Sequence, residues 1–559
     1  MQLKLLSTVL LATFISGCGG GSSSDTSTAI SSVTPPPAST VPPVLVPSAS
    51  TTTDDPPAIT INPTPPSNYV TISGKITYDL VSVDSDNIGL DYNNIVKTSA
   101  KGVQVVALDS SNQNIATAIT DALGDYALAL PPETQIKLRV YARLVNAPGT
   151  STWDIEVRDN TNGDAYYVMD GSLASTGSTD SSRLLNAPSG WGGSSYTSSR
   201  VAAPFAILDN AYQSIQKVLS ANPSTIFPPL RINWSVNNVS VSGNTDLGQI
   251  TTSHYINSNL FILGDADSDT DEYDDHIITH EWGHYYEDKL SRSDSIGGPH
   301  GSGDILDIRV AFSEGFGNAF SGMVLDEPVY FDTMGASQAD GFSFNMESES
   351  PDNPGWYSEA SVQRILYDLY DDNSDISSDT LSFGFTPLHE IFTGAQKTTS
   401  AFTSIFSFIT VLKDENIGDA DDIDTLVLSE NIAIIKDIYG NARSDTPYHD
   451  YLTLGTQLPI EISNADGTYN KLSNRQYVKF SIASSGTYTI KVQQTNGTTS
   501  DPDFYLFDTS PFTQVNFSEG VVPGLEQKDV FLSTGEYLLD ISEYNNITNA
   551  QLNVSITLK

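Results

Sequence analysis

Residues 274–290 read DDHIITHEWGHYYEDKL, and this stretch decides which fold the middle of the chain adopts. Its two leading carboxylates suit the start of a helix, and no proline follows until Pro299. On a helix, residues four positions apart project from the same face, so His280 and His284 can share one metal ion. Glu281 lies between them, where its carboxylate can reach a water molecule on the open side of that metal. The stretch therefore predicts a helix that carries part of a metal site.

A third metal ligand is expected in a second helical pattern further along the chain. Residues 307–320 read DIRVAFSEGFGNAF and carry Glu314 among small residues. Ala311, Gly315 and Ala319 would let this second helix lie close against the first, and Asp307 is expected to be its N-cap. Two neutral histidines, one carboxylate and a water molecule form the arrangement of catalytic rather than structural zinc sites. The sequence thus predicts Zn²⁺ as a cofactor.

At these residues the segment resembles the gluzincin metallopeptidases, the thermolysin-like class defined by HExxH and a downstream glutamate. The resemblance implies that His280, His284 and Glu314 bind the zinc ion. It also implies that Glu281 is the general base for hydrolysis of a polypeptide substrate. Thermolysin-like enzymes have an aspartate four residues after the ligand glutamate, whereas Asn318 occupies that position here. An asparagine still accepts a hydrogen bond from a ligating imidazole, but it supplies no negative charge.

The same resemblance predicts where substrate and transition state are bound. In gluzincins an extended substrate pairs with the edge strand that precedes the motif helix, which here is residues 257–264 (NSNLFILG). A Tyr or His beyond the ligand glutamate donates a hydrogen bond to the oxyanion. Tyr357 is the candidate donor, because it stands just before a helical pattern, and packing beside Trp356 is the alternative interpretation. His389 is the rival donor, and His300 is interpreted as a solvated residue of a glycine-rich loop.

Alternating carboxylates precede the motif helix and make Ca²⁺ a second candidate cofactor. They are Asp265, Asp267, Asp269 and Asp271. The loop lacks the glycine and the final glutamate of an EF-hand, so solvated turn carboxylates are the other interpretation.

The first eighteen residues predict export and lipidation. Residues 1–18 have one cation, then a short apolar run typical of a signal peptide. The run ends in Ile-Ser-Gly-Cys18, which resembles the bacterial lipobox, and this resemblance implies that Cys18 becomes an acylated membrane anchor. An ordinary signal peptide with a chance cysteine is the alternative. Residues 19–67, rich in Ser, Thr and Pro, predict a linker that holds an exported bacterial lipoprotein at the cell envelope or cell surface.

The remaining chain predicts a multidomain protein in which an α+β zincin-like catalytic domain, residues 146–455, is flanked by two all-β sandwich domains. Residues 68–145 have short β-branched runs, and TDALGDY at 120–126 resembles transthyretin-like carboxypeptidase-regulatory modules. Residues 456–559 resemble the pre-peptidase C-terminal domain. Within the middle segment, residues 201–221 predict an amphipathic helix, and residues 230–234 and 259–263 predict strands.

Charge and composition narrow the classes of function. The 559 residues contain 26 Lys and Arg against 68 Asp and Glu, a net charge of −42 that excludes a nucleic-acid partner. A single cysteine allows no intrachain disulfide. The main hypothesis is a zinc metalloendopeptidase that acts on extracytoplasmic proteins. The alternatives are a cell-surface adhesin or glycan-binding lipoprotein with a vestigial zincin domain, and a metal-dependent hydrolase of another bond.

Overall fold

A computed structural model describes residues 48–59, 66–146, 151–347, 351–372, 380–440, 446–449 and 451–559. The predicted signal peptide, Cys18 and the linker up to residue 47 lie outside the described residues. The chain is a multidomain protein of β-sheets and α-helices. No helix of the described residues is both long enough and apolar enough to cross a membrane.

The N-terminal part is built from strands that precede the first helix. They are β1 Ser48–Thr52, β2 Val70–Leu80, β3 Val83–Asp84, β4 Gly89–Leu90, β5 Val96–Ser99, β6 Val103–Asp109, β7 Asn114–Ile119, β8 Asp125–Leu130, β9 Gln135–Val145, β10 Asp154–Asp159, β11 Ala165–Asp170, β12 Ala174–Ser175, β13 Ser181–Ser182 and β14 Leu185–Ala187. One sheet is formed by β2 with β5, β8, β13 and β14, whereas β6, β7 and β9 belong to a second sheet. Side chains of both sheets, such as Ile72 and Val140, meet in one core. The strands of residues 68–145 are therefore divided between two sheets that share a core, as expected of a sandwich.

The second sheet extends beyond both boundaries that the sequence predicts for this part. Strand β1 lies within the stretch predicted as a linker, and it pairs antiparallel with β11, with Ser48 opposite Asp170. Main-chain hydrogen bonds to an exposed sheet edge need no apolar side chains, so composition alone gives no sign of this strand. Strands β10 and β11, which follow the predicted boundary at residue 145, both pair with β9. The sheet is continuous across that boundary.

The middle part adds helices and the far end of the same sheet. The helices are α1 Ala203–Ala221, α2 Asp275–Lys289, α3 Ile308–Leu325, α4 Glu359–Asp368, α5 Phe385–Ile391, α6 Ile405–Glu415 and α7 Ala420–Ser429. The strands are β15 Leu230–Trp234, β16 His254–Ile256, β17 Asn259–Ile262, β18 Gly264–Asp265, β19 Asp269–Thr270, β20 Val329–Met334 and β21 Asp340–Asn345. Strand β15 pairs parallel with β10 and with β17. The predicted helix at 201–221 and strands at 230–234 and 259–263 are confirmed to within two residues.

Helices α2 and α3 approach each other closely where both carry glycine. A Cβ atom added to Gly283 would lie 3.4 Å from the Cα atom of Gly317. Trp282 stacks on Phe320 beside this contact, with ring centroids 5.7 Å apart. The close approach was expected at Ala311, Gly315 and Ala319, but Gly315 faces α4, where a Cβ would lie 2.6 Å from the Glu359 carbonyl oxygen. Helix α3 is buried on almost all sides, so small residues do not mark one face.

The C-terminal part is a sandwich of two sheets, in which all strand pairs are antiparallel except the short pair of β22 with β24. Its strands are β22 Tyr448–His449, β23 Leu458–Ile462, β24 Arg475–Ile482, β25 Gly486–Gln494, β26 Pro502–Thr509, β27 Phe512–Ser518, β28 Leu525–Leu532, β29 Gly535–Glu543 and β30 Ala550–Leu558. The sheet orders are β22-β24-β29-β26-β27 and β23-β30-β25-β28. Alternate residues of both sheets, such as Phe480 and Ile490, fill the space between them. The predicted β-sandwich is therefore present.

A buried network of charges joins this sandwich to the start of α3. Asp307 is the N-cap of α3, as predicted, and accepts from the backbone N–H of Arg309. The Arg309 guanidinium contacts Asp307 at 2.9 Å and Asp540 at 3.0 Å, and Arg475 reaches the same Asp540 oxygen at 2.8 Å. The Tyr477 hydroxyl donates to Asp307 at 2.5 Å. The C-terminal sandwich is thus tied to the helix that carries Glu314.

Candidate metal centre

Three donor atoms from α2 and α3 converge on one point. The two imidazole Nε2 atoms of His280 and His284 are 3.1 Å apart. The Glu314 Oε2 atom lies 3.3 Å from each of them. A tetrahedral zinc ion with bonds of about 2.0–2.1 Å places its ligand atoms about 3.3–3.4 Å apart. The triangle therefore has the edge lengths of one face of a zinc coordination tetrahedron, and one further position stays open.

Hydrogen bonds set the imidazole of His280 in the form that binds a cation. Its Nδ1 lies 2.8 Å from the Asn318 side-chain oxygen, and the Asn318 amide nitrogen donates to Gln363 at 2.8 Å. Since the asparagine oxygen accepts, Nδ1 carries the proton and Nε2 presents a lone pair. That lone pair faces the Nε2 atom of His284 and a carboxylate oxygen. Two Nε2 lone pairs and a carboxylate oxygen repel one another unless a cation lies between them. These residues therefore fit zinc.

A second chain of contacts orients His284. Its Nδ1 lies 3.3 Å from the Ser313 hydroxyl, which donates to Glu287 at 2.5 Å. Burial raises the pKa of Glu287 to about 7. Neither Ser313 nor Glu287 is predicted from the sequence. Both could have been found from their spacing to the predicted ligands, because Glu287 follows His284 by three residues on the same helix and Ser313 directly precedes Glu314.

Gly317 makes room for the first ligand. A Cβ atom at this position would lie 2.8 Å from the Cε1 atom of His280. Any side chain there would push the imidazole away from Glu314. The Gly-Phe-Gly-Asn pattern of α3 therefore serves the site as well as the contact between the helices.

Glu281 is half-buried on α2, directly after the first ligand. Burial lowers the pKa of His284, but the carboxylates of Glu314 and Glu281 act against it, and the pKa is raised to about 9. The Glu281 charge also contributes to raising the pKa of His300. The carboxylate of Glu281 thus lies within electrostatic range of both imidazoles.

His300 is part of the site, which corrects its interpretation as a solvated loop residue. Its side chain is only 10% exposed, and its Nδ1 lies 2.8 Å from the Glu359 carboxylate at the start of α4. Its Nε2 lies 3.4 Å from Glu314 Oε2. Burial lowers the pKa of His300, but Glu314 and Glu359 outweigh it and raise the pKa to about 10. Its partner Glu359 is 59 residues away in sequence, so no local pattern could reveal this pair.

The two residues predicted as oxyanion donors lie in different surroundings. Tyr357 precedes α4, and its ring packs edge-on against Trp356 with centroids 5.1 Å apart. Within the described residues, its hydroxyl has no hydrogen bond to His280, His284 or Glu314. The Nδ1 of His389 lies 2.9 Å from the Tyr286 hydroxyl, and burial lowers the pKa of this histidine to about 4. His389 therefore has a partner on the side of α2 that packs into the aromatic core.

The predicted edge strand at residues 257–264 is not at the edge of the sheet. Strand β17 is second in the sheet, and β16 pairs antiparallel with it, with His254 opposite Phe261. The two strands are joined by Asn257 and Ser258, whose φ angles are 50° and 64°. Positive φ at both central residues is the geometry of a tight type I′ hairpin, which the sequence analysis did not recognise. The end strand on this side of the sheet is therefore β16.

Comparisons with known proteins give likenesses to solved structures only. No protein-family model and no curated protein matches it. Among solved structures, the pre-peptidase C-terminal domain of collagenase from Bacillus anthracis is 16% identical, covers 19% of this chain and 92% of that one, and has a TM-score of 0.16. A carbohydrate binding module from Cellvibrio mixtus lichenase, in complex with cellotriose, is 14% identical, covers 19% of this chain and 89% of that one, with a TM-score of 0.12.

A family 35 carbohydrate binding module from Clostridium thermocellum is 15% identical, covers 18% of this chain and 97% of that one, and has a TM-score of 0.12. None of these three structures is a zincin catalytic domain, and two of them are named for carbohydrate binding. Each of these three structures is a β-sandwich module that aligns with about a fifth of this chain. They carry no argument about the metal centre.

Proposed function

We propose that the chain is a zinc-dependent endopeptidase that hydrolyses peptide bonds in extracytoplasmic proteins. The observation that supports this proposal is the triangle of His280, His284 and Glu314 donor atoms, with sides of 3.1–3.3 Å and Glu281 beside it. The donor set is that of a catalytic rather than a structural zinc site, because the protein fills only three positions. The hydrogen bond from His280 to Asn318 adds the outer contact that such ligands require.

Zinc bound at this centre would supply Lewis acidity, which polarises the scissile carbonyl and makes water a nucleophile at neutral pH. Glu281 accepts a proton from the attacking water and passes it to the leaving amine. Asn318 holds the proton on Nδ1 of His280, so Nε2 of this imidazole stays free to bind the metal. The Glu287 and Ser313 contacts restrict the rotation of the His284 ring. Glu281 thus transfers the proton, and Asn318, Ser313 and Glu287 hold the two imidazoles in place.

His300 and Tyr357 are the two candidates for the residue that donates a hydrogen bond to the oxyanion. We favour His300, because its Nε2 already faces Glu314 and its Nδ1 is held by Glu359. Because Glu359 accepts the Nδ1 proton, Nε2 donates only when the ring is protonated, a form that the raised pKa of His300 favours. Such a fixed donor contributes about 3–4 kcal/mol to transition-state binding. Tyr357 remains the prediction of the sequence analysis.

Matched substitutions separate these two donors. We expect His300→Gln to lower kcat at least about tenfold, a fraction of the full value of such a donor, while zinc content is unchanged. Tyr357→Phe removes only a hydroxyl and is expected to leave kcat within about twofold if the ring is a packing residue. Turnover, bound zinc and the unfolding temperature should be measured for both variants. A loss confined to Tyr357→Phe would assign the role to the tyrosine, and loss of zinc from His300→Gln would make His300 a ligand.

The substrate is proposed to be an extended polypeptide that pairs with the free side of β16. This short strand, His254–Ile256, is at the end of the sheet, and it has main-chain groups available on the side away from β17. Main-chain pairing binds many sequences, because it does not depend on the substrate's side chains. Broad endopeptidase action is the expected consequence.

The alternative is a cell-surface adhesin or glycan-binding lipoprotein in which the metal centre no longer performs catalysis. The carbohydrate binding modules among the similar structures fit this alternative better than the peptidase. The peptidase proposal is nevertheless supported by the presence of Glu281, because a centre without catalytic function has no need of a general base.

Zymography distinguishes the two. The full chain should clear casein in a gel, lose this activity with the zinc chelator 1,10-phenanthroline, and regain it when zinc is added back. Clearing that persists in the chelator, or no clearing by a zinc-loaded and folded protein, would reject the peptidase. The same preparation should then be tested for binding to immobilised β-glucans.

We also propose that the protein is an exported lipoprotein, attached to the membrane through an acyl group on Cys18. This rests on the lipobox-like residues at the end of the apolar run. A Cys18→Ser variant should leave the membrane fraction or accumulate unprocessed. Unchanged membrane association would reject the anchor.

A further inference from the structure

A second group of carboxylates lies around the segment that leads into α2. Asp269, Asp271 and Asp332 each offer one oxygen, and these oxygens lie within 4.8 Å of one another. We call these three residues the aspartate cluster. Two members come from the acidic loop at 265–271, but the third comes from β20, more than sixty residues later. The sequence of the acidic loop left calcium binding and solvated turn carboxylates as two interpretations, and the contribution of Asp332 from β20 decides between them.

Asp332 points into the aspartate cluster without a hydrogen-bond partner for one of its oxygens. Asp332 is only 6% exposed, and its Oδ1 atom has no hydrogen-bond partner among the described residues. The Oδ1 atom of Asp269 is in the same state. A buried carboxylate oxygen without a donor costs free energy unless a cation occupies the space in front of it. Two such atoms facing one space indicate a missing positive charge.

No protein cation supplies that charge. Among the described residues, no Lys or Arg forms an ion pair with the aspartate cluster, and the nearby Arg200 pairs with Glu272 at 2.7 Å. Asp271 accepts a hydrogen bond from the Ser253 hydroxyl. Burial, followed by repulsion from Asp269, raises the pKa values of Asp271 and Asp332. The carboxylates therefore destabilise one another as long as their charges are not balanced.

The chemistry of the donors selects the cation. All three donors are carboxylate oxygens, which are ligands for hard cations and not for zinc in preference to histidine. Calcium binds oxygens at about 2.3–2.6 Å, so opposite ligands of one ion lie at most about 5 Å apart. The spacing of the aspartate cluster lies within this limit. We propose that Asp269, Asp271 and Asp332 bind a structural calcium ion that is separate from the zinc centre.

The ion would fix the connection between the substrate-binding sheet and the zinc helix. Residues 263–274 link β17 to α2, and Asp269 and Asp271 lie within this link. The next carboxylate, Asp274, stands at the N-cap position of α2, but it does not cap the helix. It instead accepts from the backbone N–H of Thr333 at 3.1 Å and from its hydroxyl at 2.9 Å. Calcium at the aspartate cluster would therefore hold β20 against the start of α2.

The test uses the full chain, first freed of metal ions on a chelating resin and then reloaded with one equivalent of zinc. Titration with Ca²⁺ alone should show one additional site, and the unfolding temperature should rise by several degrees at saturation. Asp332→Asn should weaken Ca²⁺ binding at least about tenfold, because it removes one charged ligand. The exposed Asp267 of the same loop provides the matched control, and Asp267→Asn should bind Ca²⁺ as the parent does.

Comparing the unfolding temperatures of Asp332→Asn and the parent, without and with calcium, shows whether the effect comes from the ion. Without calcium, Asp332→Asn should unfold at the same temperature as the parent or at a higher one, because one of three repelling charges is gone. With saturating calcium the parent should be the more stable. A parent that binds no Ca²⁺, or an Asp332→Asn variant that is less stable in both conditions, would overturn the proposal. So would a second zinc ion that disappears in Asp332→Asn. If this variant does not fold, Asp269→Asn and the titration of the parent give the same decision.

Discussion

Replacing Glu281 with Gln is expected to lower kcat by about 2–4 orders of magnitude, the range for removal of a general base, without loss of zinc. The substitution keeps the size and polarity of the side chain but removes its ability to accept a proton. The ligand atoms of His280, His284 and Glu314 do not depend on Glu281 for a hydrogen bond. Metal content and unfolding temperature should therefore match those of the parent, whereas hydrolysis of a peptide substrate nearly stops.

The matched control is Glu390→Gln, a change at an exposed glutamate on α5. It should leave turnover and zinc unchanged. If Glu281→Gln retained near-normal turnover with intact zinc, another group would be the base, and the mechanism proposed for this centre would be wrong. Loss of zinc in this variant would instead show that Glu281 helps to bind the metal.

Glu314→Ala is expected to abolish stoichiometric zinc binding, from about one ion per molecule in the parent. Two histidines on one helix remain, but a site with two protein ligands lacks the third donor that closes the face of the tetrahedron. The loss also removes the anion that contacts three imidazoles, since His300 reaches the same carboxylate oxygen. Turnover should fall with zinc content, and added zinc should restore it only in part.

Metal analysis after dialysis provides the measurement, and Glu327→Ala provides the control. Glu327 is exposed just beyond the end of α3, where its carboxylate accepts from the backbone N–H of Val329 at 3.0 Å. A circular dichroism spectrum checks that both variants are folded. Undiminished zinc in folded Glu314→Ala would reject Glu314 as a ligand and leave His300 as the third donor to be tested.

Local spacing explains which parts of the site could be predicted from sequence. His280 and His284 come together because one helix turn separates them, and Glu314 could be inferred because its own helix has a recognisable start at Asp307. His300 could not be inferred in the same way. Its position depends on Glu359, and that pairing exists only after the loop has folded against α4. Asp332 in the aspartate cluster was hidden for the same reason, since β20 meets the acidic loop only in the tertiary structure.

The fold shows the same division between local and long-range information. Periodicity was sufficient for α1, whose apolar face is buried, and burial alternates along β25 of the C-terminal sandwich as it does in a half-buried strand. It was not sufficient for the pairing of β1 with β11 or of β10 with β9, because sheet neighbours are chosen by main-chain hydrogen bonds. The boundary at residue 145 was therefore drawn through a sheet. The tight turn at Asn257 was likewise not predicted, so β17 was taken as the edge strand, whereas β16 pairs with it and is the end strand.

The ion network between α3 and the C-terminal sandwich has a consequence for the evolution of this chain. Arg309 is 2% exposed and is balanced by Asp540 from the sandwich as well as by Asp307. Breaking a buried ion pair by removing one partner costs about 3–5 kcal/mol, whereas replacing the whole set with apolar residues is tolerated. While the sandwich is in place, losing Asp540 alone would leave Arg309 and Arg475 buried with one carboxylate fewer. These three positions are therefore expected to change together in evolution rather than one at a time.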